Sequence, residues 1–152
     1  MVIIKKIVIG ADPNASELKN NIMQMLKNEG YKCEDFGSDD IIYANVAIKV
    51  AEAVVRGDYD RGILICSTGI GMSIAANKVK GAHAALCSDA YSAERASRSN
   101  NAKIITLGAQ VIGPKLAEKL VMIWLNAEYV PGERSEPKIN RIIEYEEELR
   151  LP

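Results

Sequence analysis

Short runs of β-branched and other apolar residues recur along the chain, each closing on a turn residue or a small polar cluster. The intervals between them carry apolar positions at helical spacing. The runs predict five strands, over residues 6–11, 32–36, 62–66, 82–87 and 103–107, and the intervals predict helices over 15–28, 43–56, 70–78, 91–99 and 114–126. The uninterrupted apolar character of the strands suits burial on both faces, as in a parallel sheet. Pro114 opens its helix at a first-turn position, and Gly30 and Gly57 stand where helices should end. Strands alternating with helices predict an α/β fold: a doubly wound, Rossmann-like, five-stranded parallel sheet in three α/β/α layers. A last periodic stretch, 137–149, sets Ile139, Ile142, Ile143 and Leu149 beside the acidic run Glu144, Glu146, Glu147 and Glu148. No strand follows it. Such a helix lies on its own domain or on a partner subunit, and the acidic run reads as a solvated face.

At 152 residues the chain has the size of one domain, and a single domain over 1–152 is expected. Its 48% apolar and 26% charged residues are ordinary globular usage, and 19 basic against 20 acidic side chains disfavour a nucleic-acid partner. The apolar run at the N-terminus is too short for a signal segment or a membrane span, so a soluble, cytoplasmic protein without a membrane partner is expected. The cysteines Cys33, Cys66 and Cys87 show no C-x-x-C spacing, and His83 is the only histidine, so no metal site is expected.

In an open parallel sheet, ligands bind beyond the carboxyl ends of the strands. That rule selects Asp12, the loop Cys66-Ser67-Thr68-Gly69-Ile70-Gly71, Ser88-Asp89, and the helix end Arg98-Ser99-Asn100-Asn101. The third strand's loop is the richest, because two glycines allow a tight curl and the following helix start offers free N–H groups to an anion. Its letters fail several known patterns. A dinucleotide fingerprint needs glycine where Ile74 stands, a P-loop needs Gly-Lys-Ser/Thr, a Cys-x5-Arg phosphatase needs arginine at Met72, and a receiver domain needs aspartate at Cys66. Cys66, at a strand end and helix start, fits a base or a nucleophile, and equally a small buried hydrophobe. Cys33 and Cys87 read as structural, since no glycine turn follows them. Asp12 before Pro13 also fits a simple turn. His83 lies at the wrong end of its strand for catalysis.

The stretch from Asp60 through Gly62, Cys66-Ser67-Thr68-Gly69-Ile70-Gly71-Met72 and Asn77 to Val79 resembles the ribose-5-phosphate isomerase type B and galactose-6-phosphate isomerase family. The similarity runs from Gly10-Ala11-Asp12 through Leu107-Gly108-Ala109-Gln110 to Arg134. The resemblance implies a five-stranded parallel sheet, a homodimer or homotetramer with active sites shared between subunits, and a sugar-phosphate substrate. It implies aldose–ketose isomerisation through a cis-enediolate without metal or organic cofactor. It makes Cys66 the base and Thr68 the hydroxyl beside the reacting oxygens. The backbone of Ser67, Thr68, Gly69, Ile70 and Gly71 would hold the enediolate, and Asp12 and Tyr43 would contact the sugar. Asn100 would come from the neighbouring subunit, while Arg134 and Lys138 would hold the phosphate.

Four positions depart from the family pattern: Pro13 for a histidine, Ser99 for the histidine held to open the furanose ring, Lys138 for a phosphate arginine, and Gln110 for another arginine. A tetrose 4-phosphate has its O4 esterified and cannot close a five-membered ring, so its isomerase has no use for the missing acid. Together with Ser92-Ala93-Glu94-Arg95-Ala96, this resembles the family's erythrulose-4-phosphate isomerases. D-erythrulose 4-phosphate is the expected substrate, with ribose 5-phosphate close behind. The alternative is a non-catalytic or heteromeric subunit of the galactose-6-phosphate type, against which the retained Cys66 and Thr68 argue.

Overall fold

The computed structural model describes residues 5–149. Its strands are β1 (Lys6–Ala11), β2 (Lys32–Asp35), β3 (Arg61–Cys66), β4 (Ala84–Leu86) and β5 (Ile104–Gly108). Its helices are α1 (Ser16–Asn28), α2 (Tyr43–Val55), α3 (Ile70–Ala76), α4 (Ala90–Arg98), α5 (Pro114–Asn126) and α6 (Glu136–Glu148), with a 3-10 turn over Pro13–Ala15 before α1. All neighbouring strands pair in parallel, in the order β2-β1-β3-β5-β4.

Alternation along each strand divides the apolar residues between two cores. Ile7, Ile9, Ile63, Ile65, Ile105 and Leu107 face α1, α4 and α5. Val8, Leu64, Cys66 and Ile104 face α2 and α3. Gly10 and Gly62 lie on the second face and let α2 settle closely on the sheet. A Cβ at Gly10 would stand 2.5 Å from Val46 Cγ2, and one at Gly62 would stand 2.9 Å from Val50 Cγ1. Each fully buried aliphatic side chain in these layers stabilises the fold by about 1.5–3 kcal/mol.

Two polar devices fix the loops that matter for chemistry. The buried Lys19 ammonium donates to Asp35 Oδ2 and to Ser38 Oγ, both at 2.9 Å, and Ser16 Oγ bonds Ser38 Oγ at 2.8 Å. The segment after β1 is thereby tied to the segment that leads into α2. Between α4 and α5, the buried Trp124 Nε1–H donates to the Ala102 carbonyl, and Ser97 Oγ donates to the Trp124 carbonyl, each at 2.8 Å. These bonds set where α4 ends, immediately before Ser99 and Asn100.

Three expectations need correction. β2 and β4 are not buried on both faces, because they are the sheet's edges: Lys32, Glu34, Asp35 and Leu86 remain exposed. α3 stops at Ala76 and β4 starts only at Ala84, because the Asn77 side chain accepts from Ala84 N–H at 2.9 Å and donates to its carbonyl at 3.0 Å. It thereby occupies the free edge as another strand would. The acidic run of α6 is not wholly solvated either. Glu146 accepts from Gly81 N–H at 2.8 Å and meets His83 Nε2 at 3.0 Å, and Glu147 pairs with Lys80 at 2.8 Å. α6 is thus anchored to its own chain at Glu146 and through the buried Ile139, while Ile142, Ile143 and Leu149 stay exposed.

Candidate active site

The chain leaves β1 toward β2 and returns on the other side of β1 as β3, so the winding reverses between β1 and β3. At such a reversal the loops diverge and leave a crevice at the carboxyl edge. Asp12 and Cys66 both emerge there. Ala11 pairs with Ile65, and Asp12 N–H donates to the Ile65 carbonyl at 2.9 Å. The Asp12 carboxylate accepts from Asn14 N–H at 3.0 Å, so the turn that Pro13 suggests is formed at the rim of the crevice.

Cys66 ends β3, 5% exposed, on the sheet face that carries α2 and α3. Its Sγ accepts a hydrogen bond from Gly69 N–H at 3.1 Å. The bond requires the chain to fold back within three residues, which Gly69 permits with φ of 81°. No side chain fits at Gly69, since a Cβ would lie 2.5 Å from Leu86 Cδ1 and 3.0 Å from the Leu107 backbone. Thr68 is exposed, and its Oγ1 accepts from Ile70 N–H at 3.2 Å. Of the backbone donors in this loop, Gly69 therefore serves the sulfur and Ile70 serves Thr68. Gly71 and Met72, in the first turn of α3, have N–H groups with no intrahelical acceptor.

The loop is held from below by β5. Thr106 Oγ1 donates to the Gly69 carbonyl at 2.9 Å, Ala109 N–H to the Cys66 carbonyl at 2.9 Å, and Gln110 N–H to the Ser67 carbonyl at 2.9 Å. Gly108 leaves room for this contact, because a Cβ there would stand 2.6 Å from the Thr68 carbonyl oxygen. Sequence reasoning assigned no role to Thr106. A lone hydroxyl inside the apolar strand Ile-Ile-Thr-Leu-Gly was the available signal. Tyr43, the first residue of α2, lays its phenol against Gly71, where a Cβ would come within 2.2 Å of the hydroxyl oxygen.

Asp12, Tyr43 and the Cys66–Gly71 loop thus converge on one crevice. Asn100, Arg134 and Lys138 form a second group. Asn100 follows α4 and borders a groove of about 410 Å³ with Arg95, Leu86, Ile139 and Ile142. Arg98 Nη2 pairs with Glu133 at 3.1 Å and draws the segment before α6 toward the end of α4, with Arg134 and Lys138 exposed beyond it. Among the described residues no hydrogen bond or ion pair joins this group to the Cys66 loop. The other two thiols are unlike Cys66 in setting. Burial, reinforced by Asp35, pushes Cys33 up to about 12, and burial with Asp89 pushes Cys87 up to about 11.

A family model described as Ribose/Galactose Isomerase matches residues 7–142. The chain is 49% identical over 144 residues to the D-erythrulose-4-phosphate isomerase of Pectobacterium atrosepticum, covering 92% of this chain and 94% of that one. It is 47% identical over 148 residues to the Ribose-5-P isomerase B of Listeria innocua, covering 95% of this chain and 99% of that one. The solved structure of the Clostridium thermocellum Ribose-5-Phosphate Isomerase B is similar with a TM-score of 0.89 and 44% identity, over 95% of this chain and 99% of that one. The matched region begins in β1 and ends in α6, so it takes in both the Cys66 crevice and the segment bearing Arg134 and Lys138, and on this footing the chain belongs to the ribose/galactose isomerase family.

Proposed function

We propose that this sugar-phosphate isomerase interconverts D-erythrulose 4-phosphate and D-erythrose 4-phosphate through a cis-enediolate, with ribose 5-phosphate and ribulose 5-phosphate as its next best pair. The observation that carries the reading is the Cys66 sulfur at the β1/β3 crevice, with the Gly69 N–H donating to it at 3.1 Å. As a thiolate, Cys66 removes a proton from C1 of the ketose. The C–H electron pair becomes the C1=C2 bond of the enediolate, and the carbonyl oxygen at C2 takes up the negative charge. Cys66 then returns the proton to C2, and the oxygen at C1 becomes the aldehyde as its hydroxyl proton passes to the oxygen at C2. The Gly71 and Met72 N–H groups and the Thr68 hydroxyl are the donors left for the charged oxygens. Preorganised donors of this kind contribute about 2.7–4 kcal/mol each to such a transition state. Asp12 and Tyr43 hold the sugar hydroxyls.

The chain acts as a homodimer or homotetramer in which a second copy supplies Asn100, Arg134 and Lys138, the last two binding the phosphate. The four-carbon preference is supported by Ser99, which has no acid to open a ring, and by the relative from Pectobacterium atrosepticum. The test is turnover by the purified chain alone on erythrulose 4-phosphate, ribose 5-phosphate and galactose 6-phosphate, with Cys66→Ala beside it. The expected result is highest kcat/KM on the four-carbon substrate and a loss of about 10²–10⁴-fold or more in a folded Cys66→Ala chain. Near-wild-type turnover by that variant removes Cys66 as the base. Better turnover of ribose 5-phosphate overturns the chain-length reading, and a folded chain inactive on all three substrates returns the heteromeric-subunit reading.

A further inference from the structure

We propose that Lys19 is a positioning residue that holds Asp12 in register with Cys66 for the sugar, an assignment that rests on the sugar-phosphate isomerase reading above. Lys19 is 5% exposed and shares the buried face of α1 with Leu18, Ile22 and Leu26, where the helical pattern calls for an aliphatic side chain. Burying an ammonium is costly, and a well-packed apolar pair serves stability as well as a buried ion pair does. Stability alone therefore does not account for a lysine at this place. Its partners do. Nζ donates to Asp35 Oδ2 and to Ser38 Oγ, both at 2.9 Å, and these two residues bracket the turn that runs beside the end of β1.

From that turn, two hydrogen-bonded paths reach the residues on either side of Asp12. Asp35 Oδ1 accepts from Gly37 N–H at 2.7 Å, at a φ of 104° that favours glycine, and the Gly37 carbonyl accepts from Ala11 N–H at 3.0 Å. Ser38 Oγ bonds Ser16 Oγ at 2.8 Å, and Ser16 Oγ donates to the Pro13 carbonyl at 3.0 Å. An ammonium only donates, so Ser38 is left to give its proton to Ser16, and Ser16 its own to Pro13. The backbone of Ala11 and of Pro13 is thus tied to one buried charge, and Asp12 lies between them. Ala11 pairs with Ile65 and Asp12 N–H meets the Ile65 carbonyl at 2.9 Å, which sets Asp12 beside Cys66 at the crevice. Asn14 N–H takes Oδ2 of its carboxylate, and Oδ1 is the oxygen left for a sugar hydroxyl. A shift of the Pro13 turn moves that oxygen without touching the thiol or its loop. Lys19 thereby governs how well the sugar is held and not the proton transfer itself.

The test measures kcat and KM of Asp12→Ala, Lys19→Met and the pair combined, on whichever of erythrulose 4-phosphate and ribose 5-phosphate the wild-type chain turns over better. Asp12→Ala is expected to raise KM roughly tenfold or more, the loss of one hydrogen bond to a charged group. Lys19→Met is expected to raise KM roughly five- to tenfold with kcat within about threefold of wild type, and the double variant to have a KM no higher than Asp12→Ala alone. A purely structural role gives a different signature, since partly unfolded chain lowers kcat and leaves KM unchanged. Thermal melting is followed in parallel. If Lys19→Met fails to fold, Ser38→Ala replaces it, because it keeps the Lys19–Asp35 pair and cuts only the path to Pro13. A KM equal to wild type, a loss confined to kcat, or losses that multiply in the double variant overturn the assignment. An Asp12→Ala chain with unchanged KM overturns it through Asp12 and leaves the isomerase reading standing. A wild-type chain inactive on both phosphates overturns the functional reading itself, and the assignment with it.

Discussion

Replacing Gly71 by alanine separates the stability of the site loop from its function, because the atoms nearest to the added methyl group all belong to one side chain, Tyr43. The new Cβ would stand 2.2 Å from the Tyr43 hydroxyl oxygen, 2.3 Å from Cζ and 2.6 Å from Cε2. Restoring contact distances of about 3.5 Å moves the phenol by more than about 1 Å. The ring has somewhere to go, since Tyr43 is 38% exposed and sits at the open start of α2. Moving it costs little, and alanine in a helix gains up to about 1 kcal/mol over glycine. The melting temperature should therefore hold or rise slightly. Activity should fall, because a misplacement of about 1 Å in a positioning group costs up to about 100-fold, or about 2.7 kcal/mol. The backbone N–H at residue 71 is retained, so the loss isolates the phenol. The assay is kcat and KM of Gly71→Ala, Tyr43→Ala and the double variant, each checked by thermal melting. If the methyl group acts through Tyr43, it changes nothing further once the ring is gone. A full second loss in the Tyr43→Ala background would refute the reasoning and place the effect in the loop itself.

Cys33 and Cys87, pushed up to about 12 and about 11 chiefly by burial, stay protonated through the neutral range, so a Cys33→Ser/Cys87→Ser chain should keep the wild-type pH–rate profile below about pH 9. A shifted alkaline limb in that variant would assign the titrating thiol to one of them. Burial pushes the Glu146 carboxyl up, but bonds from Gly81 and His83 and the charges of His83 and Lys80 outweigh it and leave the group below its ordinary 4.5. A depressed folded value means that its contribution is complete above about pH 4.5 and is lost as pH falls through the folded pKa. Amide exchange in the second half of α6 should therefore rise on acidification below about pH 4.5 before the sheet responds, and Glu146→Gln should show the raised exchange already at pH 7. Unchanged protection in both experiments would place the anchor of α6 elsewhere.

The features legible in the sequence are those written by local periodicity. Ile63 and Ile65 against Leu64 and Cys66 assign β3 its two faces two residues at a time, and Pro114 fixes the start of α5 where the structure has it. The errors have a common physical form: a side chain bonding to something distant in sequence. Asn77 ends α3 and delays β4 by binding the backbone of Ala84. Glu146 leaves the solvent for His83 and Gly81, more than sixty positions earlier. Neither bond leaves a trace in a hydropathy pattern. The Cys66 crevice was legible because the carboxyl-edge rule needs only strand ends and order. The same rule picked out the helix end that carries Asn100, whereas Arg134 and Lys138 were reachable only through family resemblance, and the fold explains the difficulty, since among the described residues no hydrogen bond or ion pair ties them to the Cys66 loop.

That separation bears on how the reaction excludes water. An enediolate left open to solvent is protonated and diverted, so the crevice has to be covered while the intermediate exists. The cover is not present within the described residues of one chain. The rim is apolar and bare: Ile41 is 80% exposed, Ile70 52% and Ile74 58%, with the last two one turn apart on α3. In the dimer proposed above, a second copy of the chain would dock its Asn100 and α6 region over this rim, bury those side chains and complete the site in one step. A two-fold dimer of this kind has two composite sites, each with Cys66 from one subunit and Asn100 from the other. Cys66→Ala and Asn100→Ala chains, each inactive alone, then regain activity on mixing, because one of the two sites in every mixed dimer carries both wild-type residues. With free exchange at equal concentrations, half the dimers are mixed and half their sites are intact, so recovery approaches about one quarter of wild-type activity. The measurement is turnover against time after mixing, with exchange followed by native mass spectrometry of differently tagged chains. If mixed dimers form and turnover stays at the level of the parents, Cys66 and Asn100 of the same chain serve the same site, and the apolar rim around Ile70 and Ile74 is covered by something other than a second copy.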